Sequence, residues 1–124
     1  MNSRKTALVV DDDPNARVLL QKFLVRSGYD VETAEHGGEA VKLLERSDYG
    51  IVMLDLMMPV LDGRGVLDFL RERRPQQIER VIVVTAYPQE LSSKQLGVCA
   101  VVSKPFTYDV LTGVIANAST ERSA

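Results

Sequence analysis

The sequence predicts an α/β domain, a doubly wound five-stranded parallel sheet with helices on both faces. Three observations carry that expectation. Short runs such as Ala7-Leu8-Val9-Val10, Ile51-Val52-Met53-Leu54 and Val81-Ile82-Val83-Val84 are apolar throughout and rich in branched side chains, as in strands buried on both faces. The segments between them place apolar residues at helical spacing. The two patterns alternate, β then α five times, and right-handed crossovers between parallel strands put such helices on the faces of the sheet.

Each element has its own local reason. After the first run, Asp13 suits an N-cap and Pro14 the first position of a helix. That helix carries Ala16, Leu19, Leu20, Phe23 and Leu24 inward and stops at Ser27-Gly28. Tyr29 to Ala34 alternates weakly and reads as an edge strand. Gly37-Gly38 opens a helix with Ala40, Val41, Leu43 and Leu44 inward, and His36 before it reads as a loop residue. The central run Ile51–Leu54 delivers Asp55, and Pro59 and Asp62-Gly63 break the strand into a loop. A helix facing inward with Val66, Leu67, Phe69 and Leu70 follows, and Pro75 ends it. The fourth strand ends on Thr85. From Pro88 to Gly97 large apolar residues are few, and Ser92-Ser93 is a poor helix centre. Cys99 to Ser103 reads as the fifth strand and runs into Lys104-Pro105-Phe106. A last helix presents Val110, Leu111, Val114 and Ile115 before a polar end, Ser119 to Ala124.

Composition narrows the function. The 124 residues suit one domain, 1–124 with a core of about 6–118 and no output domain. Apolar residues make up 45% of the chain, enough for a contiguous core, and 15 basic against 17 acidic residues leave a charge of −2. No basic stripe points to nucleic acid. No apolar run is long enough for a membrane span, and the start has no signal-peptide core. Cys99, the one cysteine, reads as a small core residue in a reducing compartment. A cytoplasmic protein is expected.

The chemistry gathers where the strands end. In a parallel sheet all the carboxyl ends lie on one rim, where ligands bind. Asp11-Asp12, Asp55 and Thr85 end three strands, and Lys104 follows a fourth. Crowded carboxylates repel unless a cation is present, and oxygen ligands at this charge density suit Mg²⁺. A carboxylate nucleophile with a divalent ion, a lysine and a hydroxyl makes a site for covalent phosphorylation of aspartate. The competing assignments are structural: Asp13 as a cap, Thr85 as an ordinary strand-end residue, Lys104 as a solvated lysine.

Val10-Asp11-Asp12-Asp13-Pro14, Leu54-Asp55-Leu56-Met57-Met58-Pro59 with Asp62-Gly63, Val84-Thr85-Ala86 and Lys104-Pro105-Phe106 occur in this order. Together they resemble the receiver domain of two-component response regulators, in the manner of a chemotaxis regulator, from about Thr6 to about Ala118. The resemblance implies the flavodoxin-like strand order 2-1-3-4-5. It implies that Asp55 accepts a phosphoryl group from a phosphohistidine on a histidine kinase or phosphotransfer protein, and that the change alters binding to a downstream protein. Asp12, Asp55 and the backbone carbonyl of Met57 would ligate Mg²⁺, or Mn²⁺ in its place, and Asp11 would ligate the ion or orient its water. Thr85 and Lys104 would hold phosphoryl oxygens, and Lys104-Pro105 would be cis. The bulk of Met57 and Tyr87, two residues beyond the acceptor and the threonine, implies slow hydrolysis. The chain would be no enzyme beyond phosphorylating and slowly dephosphorylating itself, and a monomer or weak dimer.

Two features depart from that pattern. Val101 stands where relatives usually carry a Tyr or Phe, and the stretch from Thr85 to Lys104 is about three residues short, so a reduced fourth helix is expected. Both favour a competing function, an interaction module that works without phosphorylation on a receiver fold. A third class, a Mg²⁺-dependent phosphatase with an aspartyl nucleophile, usually needs a second acid where Met57 stands.

Overall fold

Five strands, β1 (Thr6–Val10), β2 (Asp30–Ala34), β3 (Ile51–Asp55), β4 (Val81–Thr85) and β5 (Ala100–Ser103), form one sheet. Their order is β2-β1-β3-β4-β5, and every pairing is parallel. The computed structural model describes residues 6–56, 63–86 and 92–123, with side chains as far as 118. Met57, Asp62, Tyr87, Pro88 and Leu91, which figure in the sequence reading, lie outside the described residues.

The strands are uniformly apolar because both of their faces are covered. Leu8, Val10, Val52, Leu54, Val81 and Val83 point to one face, where α2 (Gly37–Arg46) and α3 (Gly63–Arg73) pack. Their neighbours Ala7, Val9, Ile51, Met53, Ile82 and Val84 point to the other, against α1 (Pro14–Arg26) and α6 (Tyr108–Ser123). The alternation of side chains along a strand thus divides each run between two cores. β2 lies at an edge, as its weak alternation predicts.

Helix boundaries follow the expected signals. Asp13 caps α1 by accepting from the Asn15 amide at 3.0 Å, with Pro14 opening the helix. Ser27 ends it and Gly28 follows at φ 93°, a left-handed turn that glycine makes without steric cost. Pro75 ends α3 but also opens an unanticipated one-turn helix, α4 (Pro75–Ile78), because proline is tolerated where no intrahelical N–H is needed. α4 inserts Gln77, which is buried. Its Oε1 accepts from the Tyr49 amide at 2.8 Å and its Nε2 donates to the Tyr49 carbonyl at 2.9 Å. This fastens the start of β3 to α4. Tyr49 in turn donates its hydroxyl to Glu32. Burial, then that hydrogen bond and the Glu32 charge, push its phenol far above the usual range.

The reduced helix before β5 is α5 (Ser93–Leu96), four residues capped by Ser92 and ended by Gly97 in the left-handed region. His36 does lie in the loop before α2, as expected, but it also N-caps that helix, its Nδ1 accepting from the Glu39 amide at 3.2 Å. Several expectations need correction. Val110 and Leu19 are exposed, because α6 buries Leu111, Ile115 and Ala118 and α1 buries Leu20 and Leu24, and each sits just outside its helix's buried stripe. Cys99 precedes β5 and is half-buried. Helix α6 also runs on through the polar end to Ser123.

Candidate functional site

The sheet order brings the predicted residues onto one rim. β1 and β3 are neighbours, so Asp11 and Asp12, just past β1, face Asp55 at the end of β3. One carboxylate oxygen from each of the three lies within 4.8 Å of the others. Asp11 and Asp55 are buried, at 0% and 5% exposure, and Asp12 is exposed. Thr85 ends β4 one step beyond Val84, the register partner of Asp55, and is buried. The Lys104 amide donates to the Thr85 carbonyl at 2.8 Å, which carries the lysine to the same rim. The Lys104-Pro105 peptide is cis.

Lys104 reaches across this cluster. Its Nζ donates to Asp11 Oδ2 at 3.0 Å and lies 3.4 Å from Asp55 Oδ2. Burial pulls its pKa down, but the hydrogen bond and charge of Asp11, followed by those of Asp55, more than offset this and leave it above the ordinary lysine value. The ammonium is therefore held charged between two buried carboxylates, whose repulsion it relieves.

Asp11 is fixed at each polar atom. Its amide donates to the Ala34 carbonyl at 3.1 Å and its Oδ1 accepts from the Asp13 amide at 3.0 Å. Its carbonyl accepts from Arg17 Nη1 at 2.8 Å. Gly63 governs Asp55 from the other side, its amide donating to the Leu56 carbonyl at 3.1 Å. A Cβ there would lie 2.6 Å from the Asp55 carbonyl oxygen, so only glycine fits. The sequence reading passed over Arg17, although a cation in the first turn of a helix opposes the helix dipole and so invites a reason. It read Gly63 as a loop break.

The donor set fits Mg²⁺. All three candidate ligands are carboxylate oxygens, and the exposed Asp12 leaves one side open to the water that this ion retains. Beside the cluster opens a largely apolar groove of about 470 Å³, lined by Asp13, Ala16, Leu19, Ala86, Lys104 and Phe106 among others.

Residues 7–116 match the model of the response regulator receiver domain. The chain belongs to that family. The receiver is 39% identical, over 83% of its own length and 43% of the relative's, to the alkaline phosphatase synthesis transcriptional regulatory protein PhoP of Bacillus subtilis. It spans less than half the length of the curated relatives it matches. It is also similar to the CheY-like receiver domain protein of Methanospirillum hungatei JF-1, with TM-score 0.84 and 27% identity over 96% of both chains. The response regulator TrrA of Thermotoga maritima, solved in complex with Mg²⁺ and BeF, matches with TM-score 0.80 and 34% identity over 92% of this chain and 98% of its own. As a receiver, the domain is a component of two-component signal transduction. Among the described residues, no helix is long and apolar enough to cross a membrane.

Proposed function

We propose that Asp55 is the phosphoacceptor of a signalling switch, charged from a phosphohistidine on a histidine kinase or phosphotransfer protein. The observation that carries this reading is the Asp55 carboxylate itself, buried at the end of the central strand with Lys104 at 3.4 Å and two further carboxylates beside it. An Asp55 oxygen attacks phosphorus, the P–N bond to the donor imidazole breaks, and its electron pair stays on that nitrogen. Asp11, Asp12 and Asp55, with the Met57 carbonyl, are the residues that would hold Mg²⁺, with Mn²⁺ as a substitute. The ion supplies charge neutralisation for the carboxylate and the incoming phosphoryl group.

The remaining work falls to the chain. Lys104, already charged, exchanges its carboxylate partners for a phosphoryl oxygen, and the Thr85 hydroxyl donates to another. The groove beside Lys104 leaves space for the donor's surface next to the acceptor. Phosphorylation then alters binding to a downstream protein. In a longer protein that output would extend to DNA if the segment beyond the receiver resembles those of transcriptional regulators.

The test is an intact mass after incubation with Mg²⁺ and acetyl phosphate. One added phosphoryl mass, lost in Asp55→Asn, is expected. If neither acetyl phosphate nor a phosphohistidine protein labels the chain and Mg²⁺ does not bind, the phosphorylation-independent interaction module replaces this reading.

A further inference from the structure

We infer that Arg17 is a positioning residue for the metal-binding carboxylates, acting through the peptide between Asp11 and Asp12. The inference rests on the reading that this cluster holds Mg²⁺. Arg17 Nη1 donates to the Asp11 carbonyl at 2.8 Å, while Nη2 lies 3.4 Å from Glu35 Oε1. A peptide group is planar, so fixing the Asp11 carbonyl also fixes the Asp12 nitrogen and Cα. Asp11 already has its side chain set by Asp13 and Lys104. Asp12 is exposed, and the peptide that Arg17 grips determines where its carboxylate starts.

The anchor behind Arg17 is itself held. The Glu35 amide donates to Glu39 Oε1 at 2.7 Å, and the Glu39 amide donates to His36. The chain therefore braces the β1–α1 loop against the start of α2 through one guanidinium. The Arg17 side chain is 15% exposed, so its bond to the Asp11 carbonyl works at low solvent competition, whereas Glu35, 70% exposed, is a solvated and weaker partner. Helix stability does not explain the residue, since the dipole disfavours a cation in this turn. A planar fork with two separate donors can hold a carbonyl and a carboxylate together, whereas a lysine has a single nitrogen.

Positioning and charge predict opposite results. Removing a cation near three carboxylates would by charge alone tighten Mg²⁺, whereas releasing the peptide would weaken it. The experiment is calorimetric titration of Mg²⁺ into the full chain and into Arg17→Met, Arg17→Lys and Glu35→Gln, below the unfolding range and in fixed salt. Arg17→Met is expected to bind about tenfold more weakly, in the range seen when outer partners of metal ligands are removed. Arg17→Lys, with its charge intact, is expected to bind more weakly than the unmodified chain, and Glu35→Gln to show a smaller loss. Hydrogen exchange at the Asp12 and Asp13 amides should accelerate in step. An unchanged or tighter constant for Arg17→Met, or Arg17→Lys equal to the unmodified chain, overturns the inference. Should Arg17→Met not fold, Arg17→Lys, whose charge is unchanged, decides in the same way; the smaller loss in Glu35→Gln accompanies it but does not separate positioning from charge. If the unmodified chain binds no Mg²⁺, the metal reading itself fails and takes this inference with it.

Discussion

Gly63→Ala tests how tightly the acceptor strand is held. The new Cβ would lie 2.6 Å from both the Asp55 carbonyl oxygen and the Leu56 Cα, and 2.7 Å from Leu56 Cδ2. Ordinary contact begins at 3.4 Å, so something must move by about 0.8 Å (3.4 − 2.6). The leucine methyl could rotate away, but the other two atoms are backbone of the central strand. The first turn of α3 must retreat instead, stretching the 3.1 Å bond from the Gly63 amide to the Leu56 carbonyl. Overpacking of this kind costs about 1–3 kcal/mol. A lost hydrogen bond adds about 1 kcal/mol, and the better helix propensity of alanine returns up to about 1 kcal/mol. The net expectation is a destabilisation of about 1–4 kcal/mol in urea unfolding. Because the clash falls on the Asp55 carbonyl, phosphorylation by acetyl phosphate at saturating Mg²⁺ should also slow, beyond any unfolded fraction. A variant equal to or more stable than the parent, with an unchanged phosphorylation rate, would refute the packing argument.

Further outcomes follow from other parts of the fold. Lys104 and Tyr49 both bind their protons more tightly folded than unfolded. Their contribution is whole below about pH 10, where the unfolded groups begin to titrate, and is lost as pH rises through the raised folded values. Urea midpoints should therefore fall as the pH rises above about 10, less steeply in Lys104→Met; a flat profile there contradicts this. Gln77→Ala strips both partners from the Tyr49 backbone and should cost about 2–4 kcal/mol in denaturant; a loss below about 0.5 kcal/mol, the size of an ordinary surface change, would show that the pair does not matter. Mg²⁺ at about 100 times its dissociation constant should add about 2.7 kcal/mol of stability, reversed by chelation and largely absent in Asp12→Asn. The metal-free Asp12→Asn protein should be slightly more stable than its parent, since one of three crowded charges is gone. Amides of α5, with four residues, should exchange faster than those of α1, α2, α3 and α6; equal protection would contradict a marginal helix.

What could be read from the sequence, and what could not, divides by the range of the signal. The strands announced themselves because burial on both faces leaves no place for polar residues in Ile51–Leu54 or Val81–Val84. The rim carboxylates stood out because parallel strands deliver their ends to one side, so three remote positions could be matched without knowing any distance. Gln77 gave no warning, since its partner is the backbone of a residue 28 positions away. Gly63 looked like a loop break because a close approach to the Asp55 carbonyl is a tertiary fact. His36 is the loop residue it looked like, but its capping role was hidden because the bond runs through a ring nitrogen, less usual than the oxygen of Ser, Thr, Asp or Asn. Helical spacing identified the inward arcs of α1 and α6 but set their edges too wide, at Leu19 and Val110. Val101 lies half-buried on β5 beside the core.

The central claim is that Asp55, among three adjacent carboxylates, takes the phosphoryl group. The most direct measurement is peptide mapping after Mg²⁺ and acetyl phosphate treatment followed by borohydride, which reduces an acyl phosphate to the alcohol and so turns the modified aspartate into homoserine. Homoserine at position 55, dependent on both Mg²⁺ and the donor, is the predicted result. Homoserine at Asp11 or Asp12 instead, or phosphate retained on a hydroxyl or imidazole with position 55 intact, would contradict it.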